Sequence, residues 1–327
     1  MSFNIFYIFS ILLLIFFYTN SKKISIYTKL YKKYDDDTPL TGGTGIYIFF
    51  ILGIAYLYFL NEKFIINTSY IILSASLIFL VGLLDDIFNI RYLTRLLALF
   101  ILIFIFLKFD NRFLINQLYF ETLNKTLILN HSSYFLTPLF ILLLLNSINM
   151  ADGINGNSGI IFLIYIFLLY EKNIQLNYFL FLISISLIIF LFFNFKNKIY
   201  MGDSGIYFLS FLISIYVINK YNISDTNLSS ENIFLIFMIP GVDMFRLFCQ
   251  RLYNKKNPFK GDLDHFHHLL IRKLNLRFSI IIYAVLILWP NIINKLIDVN
   301  DLILISLNLF FFFIIIFFLK KLNKFSK

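Results

Sequence analysis

Residues 80–91 read LVGLLDDIFNIR, an apolar run closed by two adjacent carboxylates, Asp85 and Asp86. A charged aspartate at the bilayer centre costs roughly 2.5–3.5 kcal/mol. The pair therefore marks the end of a membrane span, held at the membrane surface for a purpose that outweighs its cost. Composition supports the lipid reading. Of 327 residues, 60% are hydrophobic and 14% charged, against about 25% charged in soluble domains. The 43 phenylalanines read as lipid-facing bulk. Cys249, the single cysteine, excludes an internal disulfide and a thiolate metal cluster.

Apolar runs able to cross a core of about 30 Å fall near 3–19, 45–61, 66–84, 92–108, 134–150, 159–171, 176–194, 204–219, 233–249, 278–293 and 302–319. They predict an all-α polytopic membrane protein of about eleven transmembrane helices. We read residues 1–327 as one membrane-embedded domain, with 3–18 as a first span because no small-residue cleavage site follows it. Nineteen Lys and Arg fall on one set of loops and the following tail, and seven on the other. The richer side is expected to be cytoplasmic, with loops at about 20–44, 85–91, 149–158, 195–203 and 250–277, the N-terminus outside and the C-terminus inside. The net charge of +10 then suits anionic lipid and phosphate, with no nucleic acid among the partners.

Five polar stretches share that side: TPLTGGTGIY (38–47), GLLDDIFNIR (82–91), NSINMADGINGNSG (146–159), YMGDSGIYFLS (200–210) and RLYNKKNPFKGDLDHFHHLLIRK (251–273). Their clustering predicts one groove. Asp85, Asp86, Asp152 and Asp203 each sit at a helix end, and such a ring repels itself unless a cation lies among its members. All-oxygen ligands at a phosphate-handling site favour Mg²⁺, with Mn²⁺ the alternative, over zinc. The glycine turns at 42–43, 153–156 and 202–205 are expected to bring backbone N–H groups to an anion. Asn146, Asn149 and Asn155 add neutral donors and acceptors. Three histidines within four residues, with lysines nearby, suit phosphate better than zinc, since adjacent His267 and His268 diverge on any regular element.

In that order, these stretches resemble the motifs of the polyprenyl-phosphate N-acetylhexosamine-1-phosphate transferases, from about residue 30 to 275. The likeness is greater to the branch that loads N-acetylglucosamine-1-phosphate than to the muramoyl-pentapeptide branch. GLLDDIFNIRYLTR is similar to a DDxxD stretch, with Asn89 in place of the third acid and Arg95 where that pattern often carries a base. NSINMADGINGNSG is similar to NxxNxxDGxDGLA, with Asn155 replacing the second acid. YMGDSG resembles a metal-binding MGDxGS stretch. NPFKGDLDHFHHLL resembles PFxxDxxHxHHxL, and TPLTGGTGI resembles PTPxxGG, with Tyr34 where the branch usually has His and Lys32 retained.

The resemblance implies Mg²⁺-dependent transfer of N-acetylhexosamine-1-phosphate, most simply GlcNAc-1-phosphate, from a UDP-N-acetylhexosamine to undecaprenyl phosphate at the cytoplasmic face of the bacterial inner membrane. UMP is released, and a homodimer is compatible with it. Asp85, Asp86 and Asp152 are the expected catalytic residues, Asp85 first. Asp203 with Asp152 would hold the metal. Lys32, Asn146, Asn149, Asn155, Arg251, His265, His267 and His268 would bind substrate. The rival is a non-catalytic protein that binds or transports lipid phosphates, which predicts polar residues through the whole bilayer thickness. Here Arg95, Asp243 and Arg246 come nearest to that pattern.

Overall fold

The computed structural model describes residues 2–324 apart from 29, 33–34, 61, 173–175, 224–227, 259–262 and 298, with backbone alone at 2–5, 31–32, 35–37, 60, 62–67 and 322–324. Long apolar stretches become helices, because in lipid only intrasegment hydrogen bonding satisfies the backbone. In chain order these are α1 (Ser2–Thr19), α2 (Ser21–Thr28), α3 (Gly42–Leu60), α4 (Glu62–Phe88), α5 (Tyr92–Phe109), α6 (Ser133–Ala151), α7 (Asn157–Leu169) and α8 (Asn177–Asn194). They continue with α9 (Gly202–Asn222), α10 (Ser230–Tyr253), α11 (Phe266–Ile271), α12 (Leu276–Leu296) and α13 (Asp301–Lys324).

A helix stands at every one of the eleven expected spans, but the count of spans is lower. Among the described residues nine helices are long and apolar enough to cross a membrane, or ten if α1 and α2, bent by 68° at their junction, act as one. The remaining candidate, α7, has 13 residues and rises only about 20 Å. Its last carbonyls are met by side chains from longer neighbours. Lys220 Nζ reaches the Leu169 carbonyl at 3.1 Å and Lys295 Nζ the Leu168 carbonyl at 3.0 Å, where cations also favour the negative end of a helix.

Two short hairpins depart from a purely helical reading. β1 (Tyr31–Lys32) pairs with β2 (Asp35–Pro39), and β3 (Gln117–Phe120) with β4 (Lys125–Ile128), both antiparallel. The second is pinned to the start of α10: Glu231 accepts hydrogen bonds from Glu121 N, Thr122 N and Thr122 Oγ1. α10 itself opens on a reciprocal cap between Ser229 and Asn232.

α9 is the axis of the bundle, packed by α3, α4, α6 and α7, most extensively by α4. Small residues permit these approaches, as is usual between membrane helices. A Cβ on Gly43 would lie 2.3 Å from Gly205 Cα, and one on Gly82 would lie 2.5 Å from Ser204 Cα. The α3–α4–α9 contact therefore sets the position of the first turn of α9, where Asp203 sits.

Candidate active site

At the end of the bundle where α4, α6 and α8 finish and α5, α7 and α9 begin, a cavity of about 690 Å³ is lined by Asp85, Asp86, Asn149, Asp152, Asn155 and Asp203, together with Asn89, Arg95, Asn194 and Gly202. Three of the five polar stretches supply polar lining side chains, and the stretch at 251–273 contributes only Ile271. The stretch at 38–47 contributes only Leu40, and its glycine N–H groups do not face a ligand. Gly42 N donates to Tyr200 O and Gly43 N to Met201 O, both at 2.8 Å, so these glycines tie α3 to the residues that lead into α9.

Asp85 is buried at 6% exposure and forms an ion pair with Arg95. The same Arg95 Nη1 lies 3.2 Å from Asp203 Oδ2, so one guanidinium joins carboxylates 118 residues apart. Asp86 does something different from its neighbour. Its Oδ1 accepts the Asp203 N–H at 2.8 Å and its Oδ2 the Ser204 N–H at 3.1 Å, capping α9 from another helix at its positive end. Gly202, with φ +76°, makes this possible: a Cβ there would lie 2.8 Å from Asp86 Oδ2. Asn149 Nδ2 donates to Tyr207 Oη at 2.7 Å, and the Tyr207 ring lies 5.6 Å from the Arg95 guanidinium carbon. Asp152 accepts from Ser158 Oγ at 2.6 Å.

Two of the unexpected asparagines have local reasons. Asn89 adopts φ +51° where α4 ends, and its N–H returns to the Asp85 carbonyl. Asparagine tolerates that left-handed position better than most residues. Asn155 donates to the side chain of Asn197, a neutral partner for a neutral group. Tyr34 and the Lys32 side chain lie outside the described residues.

Other expected substrate binders stand away from the lining. Asn146 turns back on its own helix, to Leu142 O at 2.8 Å. Arg251 is buried and braces the following loop through Pro258 O at 2.8 Å. The histidines form a stacked group behind the cavity wall, with His267 4.2 Å from His268 and 5.7 Å from His265 between ring centroids. His267 is 1% exposed and packs on Gly153, where a Cβ would lie 1.9 Å from its Nε2. Neither of its ring nitrogens has a hydrogen-bond partner among the described residues. Burial first, and then the neighbouring imidazoles, push its pKa down to about 3. His267 is therefore neutral at physiological pH and offers an anion no charge.

The donor set suits a hard cation. Four carboxylates and several amide oxygens face one cavity that holds a single guanidinium, leaving an excess of negative charge among oxygen ligands. No group of three or more His, Cys, Asp or Glu among the described residues is spaced to hold a metal unaided. Mg²⁺ needs no such cage, because it is commonly held by one or two carboxylates with water and substrate phosphate oxygens.

The family model described as Glycosyl transferase family 4 matches residues 68–220, which include Asp85, Asp86, Asp152 and Asp203. The chain is 25% identical over 279 residues to the undecaprenyl-phosphate alpha-N-acetylglucosaminyl 1-phosphate transferase of Escherichia coli (strain K12), covering 81% of this chain and 74% of that protein. It is 28% identical over 265 residues to the probable undecaprenyl-phosphate N-acetylglucosaminyl 1-phosphate transferase of Bacillus subtilis (strain 168), covering 77% and 71%. Identity reaches 30% over 279 residues with the phospho-N-acetylmuramoyl-pentapeptide-transferase of Dictyoglomus thermophilum, covering 77% and 83%. The chain belongs to glycosyl transferase family 4.

Within this glycosyl transferase, three side chains do site work that the sequence reading leaves unassigned. Arg95 is legible as a base ten residues after an acid, but not as a bridge to Asp203. Asn194 accepts the Gly156 N–H at 2.6 Å and donates to Ile199 O at 2.8 Å, yet it sits in NFKNK with no motif to mark it. Tyr207 is hidden by its apolar context, where a single hydroxyl at the fifth position after Gly202 reads as core.

Proposed function

We propose that this chain transfers N-acetylglucosamine-1-phosphate from UDP-N-acetylglucosamine to undecaprenyl phosphate, releasing UMP and initiating a lipid-linked cell-envelope polysaccharide. The observation that carries the reading is the clamp at the first turn of α9: Arg95 between Asp85 and Asp203, and Asp86 on the N–H groups of Asp203 and Ser204. A structural helix end needs one cap, whereas this one gathers three carboxylates in an open cavity of about 690 Å³. That volume falls within the range of small-molecule sites, about 300–1,000 Å³.

In the reaction, an oxygen of the lipid phosphate attacks the β-phosphorus of the nucleotide sugar. A new P–O bond forms, the bond from that phosphorus to the bridging oxygen breaks, and UMP departs with the electron pair. Asp85, held by Arg95, orients the lipid phosphate and accepts its remaining proton when one is present. Asp86 acts through α9 and is a positioning residue for Asp203. Asn149 and Asn155 orient the nucleotide sugar from the opposite wall. Asp203 with Asp152 would hold Mg²⁺ (or Mn²⁺), which supplies neutralisation of diphosphate charge when bound. The lipid substrate cannot leave the bilayer, which gives a reason for carboxylates at a helix end. The positive-inside bias supports a cytoplasmic cavity. The chain acts as one membrane domain in this reading.

UMP release by the purified chain in detergent, with undecaprenyl phosphate and UDP-N-acetylglucosamine, tests the proposal. We expect Mg²⁺-dependent UMP that disappears in Asp203→Asn. UMP from wild type that survives this substitution would remove Asp203 from the mechanism. Silence of wild type with every UDP-N-acetylhexosamine would overturn the transferase reading.

A further inference from the structure

Tyr207 stands one turn after Asp203 on α9, so the two side chains share a face of that helix. It is fully buried and is not among the residues lining the cavity, yet it holds two residues that are. Asn149, on α6, donates from Nδ2 to the Tyr207 hydroxyl at 2.7 Å. Arg95, on α5, lays its guanidinium carbon over the Tyr207 ring, 5.6 Å from the centroid. The Tyr92 ring meets the same guanidinium at 5.8 Å. One side chain of α9 thus reaches both α5 and α6 behind the cavity wall.

Core packing alone is the plain alternative, and the hydroxyl argues against it. The flanking Ile206 and Phe208 are fully buried and apolar, and a phenylalanine would fill the same space with no polar atom to satisfy. A buried hydroxyl is costly unless it is hydrogen-bonded. The buried Tyr18 meets that need on backbone, donating to the Gly42 carbonyl at 2.8 Å. Tyr207 instead meets it on the side chain of a cavity residue, and so fixes where the Asn149 amide stands. The ring has a separate consequence. An aromatic face attracts a cation, most strongly where water is excluded. Arg95 held in this way keeps its Nη1 on both Asp85 and Asp203.

We propose that Tyr207 is a positioning residue shared by the two substrate sites. Its hydroxyl sets Asn149 for the nucleotide sugar, and its ring sets Arg95, and through it Asp85, for the lipid phosphate. The inference rests on the transferase reading. Two substitutions in the full chain in detergent separate the roles: Tyr207→Phe keeps the ring and removes the hydroxyl, and Tyr207→Leu removes both. Tyr207→Phe is expected to raise the KM for UDP-N-acetylglucosamine about 3–10-fold, the weight of one hydrogen bond, with the KM for undecaprenyl phosphate unchanged. Asn149→Ala should raise the same constant, and adding Tyr207→Phe to it should raise it no further, the signature of coupled residues. Tyr207→Leu should also raise the KM for undecaprenyl phosphate, by about 10-fold; Tyr207→Met takes its place if the leucine variant does not fold. A purely structural role would act through the folded fraction, lowering kcat and leaving both KM values alone. Wild-type KM values in Tyr207→Phe, equal rises in both, or losses that multiply in the double variant overturn the proposal. A wild-type KM for undecaprenyl phosphate in the variant without a ring overturns it too. An active wild type with any of these results removes this proposal alone, whereas silence of wild type with every UDP-N-acetylhexosamine removes the transferase reading and this proposal together.

Discussion

Gly82→Ala puts the weight of the site on one methyl group. Gly82 and Asp86 lie one turn apart on α4, so they face the same neighbour, and that neighbour is the first turn of α9. An added Cβ would sit 2.5 Å from Ser204 Cα, 2.7 Å from Ser204 N and 2.8 Å from Asp203 O, all backbone, whereas ordinary contact begins at 3.4 Å. The two helices must separate by about 0.9 Å to relieve the closest of these. The same displacement takes the Asp86 bonds, now 2.8 and 3.1 Å, to about 3.7 and 4.0 Å, beyond hydrogen bonding. Two bonds to a carboxylate, at about 1.5–3 kcal/mol each, are lost, and Asp203 shifts by a distance that can cost about 10²-fold in rate. We expect a lower thermal midpoint and a fall of that order in UMP release. Leu84→Ala, two residues on and 46% exposed, is the control and should keep its activity. A Gly82→Ala protein with the rate and midpoint of wild type would refute the reasoning, because Asp86 could not then depend on the α4–α9 approach.

The remaining expectations concern the loops and the bundle. Asn194→Ala orphans the Gly156 N–H and the Ile199 carbonyl, each buried group costing about 1–3 kcal/mol; the loss should appear in the thermal midpoint and in kcat. Asn194→Asp should restore only the acceptor half. His267 stays neutral in the folded chain down to about pH 3, against an ordinary value of 6.5. The unfolded chain therefore binds the extra proton, and stability falls as pH drops below 6.5, by about 2 kcal/mol at pH 5. His267→Asn should flatten that part of a midpoint-against-pH curve; an unchanged slope would show that the imidazole is not buried neutral. Gly241 stands inside α10 beside an apolar cavity of about 410 Å³, and a Cβ there meets nothing within 4 Å. Gly241→Ala should raise the midpoint, by roughly 0.5–1 kcal/mol of helix propensity, and a lowered midpoint would contradict the open space.

The helices were legible because each apolar run is as long as its span, and lipid leaves the backbone no alternative to a helix. Even α7 lies within a few residues of its apolar run at 159–171, although its length rather than its position departs from a full crossing. The hairpin at 117–128 was not legible: its strands are four residues each, and Glu231, 110 residues away, supplies their anchor. The site divided along the same line. Asp85, Asp86, Asp152 and Asp203 announced themselves, since carboxylates at apolar helix ends are costly. Their differing circumstances did not, because Asp85 and Asp86 are neighbours in sequence and only the approach of α9 gives one an arginine and the other a pair of amides. Asn194 holds a turn 38 residues earlier in the chain through the Gly156 N–H, a relation that no local pattern contains.

Of the nine long apolar helices among the described residues, α9 is both the least apolar and the most enclosed, with Ser204, Ser210 and Ser214 buried along it. Such a segment is a weak anchor when it first meets the bilayer, since its hydroxyls and Asp203 subtract from its own insertion free energy. The helices that enclose it, α3, α4, α6 and α7, are all synthesised before it. Biogenesis therefore supplies a mould first and the helix bearing Asp203 afterwards. Lipid-facing changes on the early helices would then reach the chemistry through the insertion of α9, without touching any residue of the cavity.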